Sequence, residues 1–441
     1  MKNIAKISSQ EFALRRQKLM KLIGNDAIAI VPSADIQIRN RDAEYGFRQD
    51  SDFLYLTGFN EPQALAVFIP GREESEYILF CREKDPKTEQ WTGRMQGIDG
   101  AIENYQADDA FPVDVIDEIV PSLMENRSKV YYSVGNNPDF DKQVISWVNS
   151  LRAKVRSGVQ APHEFISLNL FLHDLRLFKS AAEIQAMRDS AAVAVKAHER
   201  AMKACQPSMM EYEIEAEYLY EFKKSGMEPA YTTIVGGGEN ACILHYVENN
   251  AELKNGDLLL IDAGAENQGY ASDISRSFPV NGVYSDAQRA LYQVVLDSQY
   301  AAIEMAKPGN RWLDPHNAAV RVLTTGLVQL GLLEGSIDKL IEDEKYTQFY
   351  MHKTGHWLGL DVHDVGEYKK DEQWRVLEPG MVLTVEPGLY ISPDKNVDEK
   401  WWNIGIRIED DVLITENGNE VLTQALVKEI DDVEAMMASG K

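Results

Sequence analysis

The chain has 441 residues, 44% of them apolar, and a formal charge of −25. That length suits two domains or one large elaborated one, each with a sizeable core. The acidic excess is spread along the chain and argues against nucleic acid as a partner, because phosphate neutralisation needs Lys and Arg on the contact face.

The first twenty residues carry Lys2, Lys6, Arg15 and Arg16 without the continuous apolar run of a secretory signal, and read as an amphipathic first helix. No later stretch approaches the roughly 18–20 apolar residues of a membrane span. Short apolar runs at 27–32 (AIAIVP), 64–69 (ALAVFI), 77–81 (YILFC) and 130–134 (VYYSV) predict strands, and 14–23 and 139–151 predict helices. This alternation suggests an α/β domain over 1–175 with a mainly parallel sheet.

A different pattern begins near Arg176. Ser180 and Glu183 form a capping box that predicts a long helix to about residue 203. Ser208 with Glu211, and Ser285 with Gln288, predict two further helix starts, and a fourth helix is expected over 315–330. Strand-like runs lie at 258–263, 381–385 and 404–408. The segment 176–441 therefore reads as an α+β domain, long helices on a curved antiparallel sheet. The three cysteines, Cys81, Cys205 and Cys242, are odd in number and far apart, with no CxxC pair, which suggests a reducing cytoplasm.

Four segments of this second domain concentrate potential ligands. In LLLID (258–262) and YASDISRSF (270–278), Asp262 ends an apolar run and Asp273 sits among apolar residues, and turn chemistry at 266–269 predicts a hairpin that brings them together. Two carboxylates in an apolar setting require a proton or a cation between them; the alternative is two exposed hairpin residues. Residues 351–364 hold His352, His356 and His363, three of the chain's eight histidines, flanked by Gly355 and Gly359, which permit close backbone approach. Glu386 ends an apolar strand before Pro387-Gly388, and Glu409 follows the alternation Ile404, Ile406, Ile408 on the side of Arg407. A charged stripe of that kind ordinarily faces water. Taken together, four carboxylates and an imidazole form an oxygen-rich set suited to Mn²⁺, with Zn²⁺, Co²⁺ or Fe²⁺ as competitors. Four carboxylates balance two divalent ions, which could hold a hydroxide between them.

The order Asp, Asp, His, Glu, Glu, within DAGAE, YASDISRSFPV, HWLGLDVHDVG, TVEPGLY and GIRIEDDVLI, resembles the metallopeptidases of the pita-bread fold. Within that group the match is to the aminopeptidase P (Xaa-Pro aminopeptidase) family, and the N-terminal stretch RQDSDFLYLTGFNEP is similar to it as well. The resemblance implies a pita-bread catalytic domain behind a smaller α/β domain. It further implies removal of one residue preceding proline by a hydroxide bridging two metals. Asp262 would bind one metal, Asp273 and Glu409 both, and His356 and Glu386 the other, with Glu386 also shuttling a proton. His363 and His245 would hydrogen-bond the scissile carbonyl, while His352, Tyr390, Arg407 and Tyr368 would line the substrate site. Asp42, Trp91 and Arg156 match positions that approach an active site in this family, some from a neighbouring subunit, so a homo-oligomer (dimer or tetramer) is implied. One departure is the stretch after Tyr368, KKDEQWR, which is longer by one residue and lacks an Arg often found there.

Related activities remain in view. Prolidase shares the five ligands but cuts dipeptides. Methionine aminopeptidase lacks the N-terminal domain, creatinase-like enzymes use no metal, and a catalytically dead binding module should have lost ligands.

Overall fold

A computed structural model describes residues 6–440; Lys2 lies outside them. The chain divides into two compact units, Ile7–Arg176 and Leu177–Lys441.

In the first unit, α1 (Ser9–Ile23) opens where the Ser8 hydroxyl accepts from the Glu11 amide and closes at Gly24. Strand β1 (Ala27–Pro32) is an apolar run buried on both faces. It joins β2 (Leu65–Phe68), β3 (Tyr77–Cys81), β4 (Asp109–Pro112), β5 (Lys129–Tyr132) and β6 (Glu164–Ser167) in one sheet of order β4-β3-β2-β1-β5-β6. Three of its five pairings are parallel, β1 with β5, β3 with β4 and β5 with β6, as expected of a mainly parallel sheet, and two are antiparallel. Strand β2 runs antiparallel to both β1 and β3; toward β3 this follows from the short link 69–76, which can close a hairpin but not the crossover a parallel pair needs. Helix α2 (Pro138–Arg152) starts at an Asn137 cap and buries Val144, Trp147, Val148 and Leu151, the i, i+3, i+4, i+7 stripe of a helix on a core.

In the second unit, the Ser180–Glu183 capping box opens α3 (Ala181–Ala204) as expected. Helix α4 (Glu211–Lys224) starts later than its sequence suggests. Met210 is the cap, and Glu213 reaches back to its amide at 2.7 Å. Glu211 instead turns inward, wholly buried, and accepts from the amides of Gly237 and Ala251, the Asn240 side chain and the Tyr246 hydroxyl. Four charge-assisted bonds outcompete one cap.

The strands of this unit are short and antiparallel. Strands β7 (Ile234–Gly237), β8 (Leu258–Asp262) and β11 (Ser275–Pro279) form one ladder, and β9 (Ala265–Asn267) and β10 (Tyr270–Ala271) a hairpin between them. Helices α5 (Asp286–Met305), opened by the Ser285–Gln288 capping box, and α6 (Leu313–Gln329) follow. Strands β12 (Val382–Val385), β15 (Asp410–Thr415) and β16 (Gly418–Val421) form a second ladder, and β13 (Gly388–Ile391) pairs with β14 (Ile404–Arg407). The core joins Ile214 and Tyr218 of α4 and Leu291 and Val295 of α5 to Leu259, Phe278 and Ile406 of the strands. Burying each such aliphatic side chain is worth about 1.5–3 kcal/mol, which holds the carboxylate-bearing strand ends in fixed positions.

Candidate active site

Asp262 ends β8, whose preceding residues are locked into the core, and pairs in register with Ser275 of β11. Between them the chain folds back through the β9–β10 hairpin, whose turn residues Gln268 and Gly269 both have positive φ (54° and 89°). That is the two-residue turn matching the twist of paired strands, and it returns Asp273 beside Asp262. Gly264 allows the fold-back, since a Cβ there would sit 1.7 Å from the Ser272 carbonyl oxygen.

His356 reaches the same point from the segment before β12. Its Nδ1 is 2.9 Å from the Trp357 carbonyl and must donate to it, so Nε2 is the ring nitrogen turned to the carboxylates. That Nε2 lies 3.5 Å from Asp273 Oδ2 and 3.8 Å from Glu386 Oε1. Gly355 brings this segment against β12, as a Cβ there would meet the Thr384 oxygen at 2.0 Å. Glu386 follows β12, and Glu409 lies between β14 and β15. Glu409 does not face water: it is buried, as is Arg407, because β14 is covered on both faces. The Ser275 hydroxyl donates to Glu409 Oε2 at 2.6 Å.

One atom each from Asp273, His356 and Glu409 falls within 4.8 Å of the others. All five expected ligands line one cavity of about 340 Å³, together with His245, His352, His363, Tyr368 and Arg407. Burial and the neighbouring Asp262 push the Asp273 carboxyl above its ordinary range. Burial first, then the other carboxylates, push Glu386 up to about 7 and Glu409 well above normal. Burial lowers His356, but its hydrogen bond to Asp273 and the adjacent carboxylates outweigh this and raise it to about 9. Among the described residues, Arg407 is the one guanidinium lining this cavity. Four carboxylates with so little compensating charge, and an imidazole whose Nε2 faces them across a proton that a cation can replace, fit hard divalent cations.

The family model for metallopeptidase family M24 matches residues 185–416, and that for the aminopeptidase P N-terminal domain matches residues 12–131. The chain belongs to metallopeptidase family M24. It is 45% identical to the Xaa-Pro aminopeptidase of Escherichia coli (strain K12), over 99% of this chain and all of that one. The structure of Pseudomonas aeruginosa aminopeptidase PepP is similar at TM-score 0.98 and 55% identity, covering 99% of each chain. A zinc-substituted E. coli aminopeptidase P in complex with product matches at TM-score 0.96 and 45% identity, over 99% of this chain and all of that one. The two-domain architecture is thus that of aminopeptidase P, with the pita-bread domain behind the N-terminal one.

In this M24 chain the other expected residues fall into three groups. Arg407, Tyr390 and His352 form a directed chain of hydrogen bonds. Arg407 Nη1 donates to the Tyr390 hydroxyl (3.1 Å), which donates to His352 Nε2 (2.9 Å), while His352 Nδ1 donates to the Lys353 carbonyl (2.7 Å). Both His352 nitrogens are therefore engaged, and burial with the Arg407 charge lowers it to about 4. It offers the cavity a neutral ring face. His245 and His363 are exposed at the opening, with the His363 ring centroid 4.3 Å from that of His356. Tyr368 stacks on Trp357 at the cavity wall. The altered stretch after it is a tight hairpin, Lys369–Lys370 paired with Gln373–Trp374.

Asp42, Trp91 and Arg156 all belong to the other unit, where each is exposed. A larger hollow of about 650 Å³ in that unit, at the carboxyl ends of β1, β3 and β4, is lined by residues including Pro32, Arg82 and Phe140. The convergent donor set lies in the smaller cavity, so the chemistry is assigned there.

Sequence reasoning missed Tyr231. Its hydroxyl hydrogen-bonds the carboxylates of both Asp262 and Asp273. Burial, and then the charges of Asp262, Asp273 and Glu409, keep it protonated as a donor by raising it well above the ordinary tyrosine range. Nothing in its local sequence, Pro229-Ala-Tyr-Thr-Thr233, marks a ligand-bearing segment.

Proposed function

We propose that this chain is a metal-dependent aminopeptidase that hydrolyses the bond between a peptide's N-terminal residue and a following proline. The observation that carries this reading is the convergence of Asp262, Asp273, His356, Glu386 and Glu409 on one cavity, in a chain alike over nearly its full length to an Xaa-Pro aminopeptidase.

Those five residues would hold two divalent ions. Mn²⁺ is the best fit to the oxygen-rich set, with Zn²⁺, Co²⁺ or Fe²⁺ able to compete. Such ions supply Lewis acidity toward a peptide carbonyl and a nucleophilic water at neutral pH. The chain's own residues do the rest. Glu386 accepts a proton from the attacking water and returns it to the leaving proline nitrogen, a task suited to a half-buried carboxylate that lines the cavity beside the other ligands. His363 and His245, at the opening, donate hydrogen bonds to the scissile carbonyl oxygen. Burial lowers His363 below the ordinary histidine value, which favours a neutral ring whose N–H can donate.

An X–Pro bond has a tertiary amide and a fixed φ. A site for it needs no partner for an N–H at that position. The ring face of His352, fixed by Tyr390 and Arg407, and the Tyr368 ring are walls of that kind. Asp42, Trp91 and Arg156 would add substrate contacts, some from a neighbouring copy in a dimer or tetramer. The three thiols, none of them in a disulfide, suit the cytoplasm. No helix among the described residues is long and apolar enough to cross a membrane.

The test compares hydrolysis of Xaa-Pro and Xaa-Pro-Xaa peptides with and without a chelator. Metal-dependent release of the first residue from the tripeptide is expected. Cleavage of the dipeptide alone would mean a prolidase, and full activity in metal-free protein would refute the chemistry.

A further inference from the structure

The cavity carries one cation that the site chemistry above does not use. Lys353 lines it beside His352 and Gly355, and is exposed. Among the described residues its ammonium makes no ion pair or hydrogen bond. The neighbouring nitrogen donors are committed elsewhere. Arg407 is buried and spends its guanidinium on Asp262, Ser275 and Tyr390, and both nitrogens of His352 are engaged.

The position of Lys353 indicates what it meets. It adjoins His352, one Cα step of about 3.8 Å along the chain. It also borders a second, shallow hollow lined by Trp312, Leu313, Pro315 and His316, which shares Lys353 and Gly355 with the main cavity. Lys353 and His316 line that hollow together, and the Lys353 charge is, after burial, one of the two causes that lower His316 to about 4. On the aminopeptidase reading the first residue and the scissile bond lie at the carboxylates, so the segment beyond the proline leaves along the remaining cavity lining, of which His352 and the exposed Lys353 are part. The anionic groups such a segment can present are its terminal carboxylate and the side chains of Asp or Glu.

We propose that Lys353 is a specificity-determining residue that pairs with a carboxylate on the peptide just beyond the proline, and so favours short or acidic substrates. This rests on the aminopeptidase reading above. An exposed ion pair supports a preference of about three- to five-fold, weakened by salt.

The experiment measures kcat/KM for Xaa-Pro-Gly against its C-terminal amide, and for Xaa-Pro-Glu-amide against Xaa-Pro-Gln-amide. The first pair reads the terminal carboxylate and the second a side chain. The unaltered metal-loaded protein should favour the anionic member of at least one pair by about three- to five-fold at low salt. That ratio should fall to about one in K353M, return in K353R and invert in K353E. Inhibition by the product Pro-Gly, compared with Pro-Gly-amide, should follow the same order and gives a binding readout independent of turnover. Ratios near one for both pairs in the unaltered chain, or ratios unchanged in K353M, overturn the assignment of Lys353 alone. Failure to cleave any of these peptides overturns the aminopeptidase reading, and this one with it.

Discussion

Arg407 donates through Nη2 to Asp262 Oδ2 at 2.7 Å, so the carboxylate that ends β8 is aimed by a buried guanidinium rather than by its own strand. The same guanidinium reaches Ser275, whose hydroxyl in turn holds Glu409. Two proposed ligands thus depend on one side chain. Partners of this kind typically contribute 10–100-fold to metal affinity or activity. Arg407→Met should therefore weaken metal binding by about that factor, read by competition with a chelator of known affinity. Retention of both metals at normal affinity would show that Asp262 needs no such support.

What the sequence disclosed, and what it hid, follows from the range of each interaction. Asp262 and Glu386 were legible because each ends an apolar run, His356 because it adjoins Gly355, and Asp273 because turn chemistry pairs its segment with the strand of Asp262. The strand runs 27–32 and 77–81 and two of the three expected capping boxes were legible for the same reason. Glu409 was ambiguous, since alternation along one strand does not say whether its second face is covered, and burial on both sides decides it. Glu211 looked like part of a cap because its true partners lie between 26 and 40 residues away. Tyr231 meets Asp262 and Asp273 across 31 and 42 residues of chain, and no spacing rule connects them.

Asp273→Asn removes a buried charge from the position nearest both His356 and the Asp262–Tyr231 contact. Activity should be abolished and metal content reduced, and Glu409→Gln should behave alike. Elemental analysis with a peptide assay checks both, and near-normal turnover in either variant would count against the assigned ligand set.

His363→Ala tests the opposite expectation. The residue is exposed at the opening and has no close carboxylate partner among the described residues. Turnover should fall by about 10²–10³, as for loss of an oxyanion donor, while metal content stays near normal. Loss of metal in this variant would instead make His363 a ligand.

Gly355→Ala probes the backbone contact that delivers His356. The added methyl would meet the Thr384 carbonyl at 2.0 Å, well inside van der Waals contact, and that strand cannot yield without disturbing the Thr384 hydroxyl bond to the His356 amide at 3.1 Å. Overpacking of this kind costs about 1–3 kcal/mol. Both thermal stability and metal affinity should drop. A variant with unchanged midpoint and full metal content would mean the segment can shift freely.

His198, a core histidine that the proposed chemistry does not use, supplies a pH dependence of stability. It is wholly buried on α3, its Nε2 donating to the Ala263 carbonyl at 3.2 Å and its Nδ1 accepting from the Tyr218 hydroxyl at 2.8 Å. Burial, then the charge of Arg276, lowers it to about 3, against an ordinary histidine value of about 6.5. The folded state therefore holds His198 neutral while the unfolded chain protonates it, so unfolding takes up a proton below about pH 6.5. Its stability contribution is complete above that pH and is lost as pH falls toward 3, by at most about 1.4 kcal/mol per pH unit. Denaturation midpoints at pH 7.5 and 5, for the unaltered chain and His198→Gln, measure this. The stability gap between the two proteins should narrow on acidification, because only the unaltered chain carries the proton penalty. A gap that stays constant or widens would mean that the imidazole is already charged in the folded state.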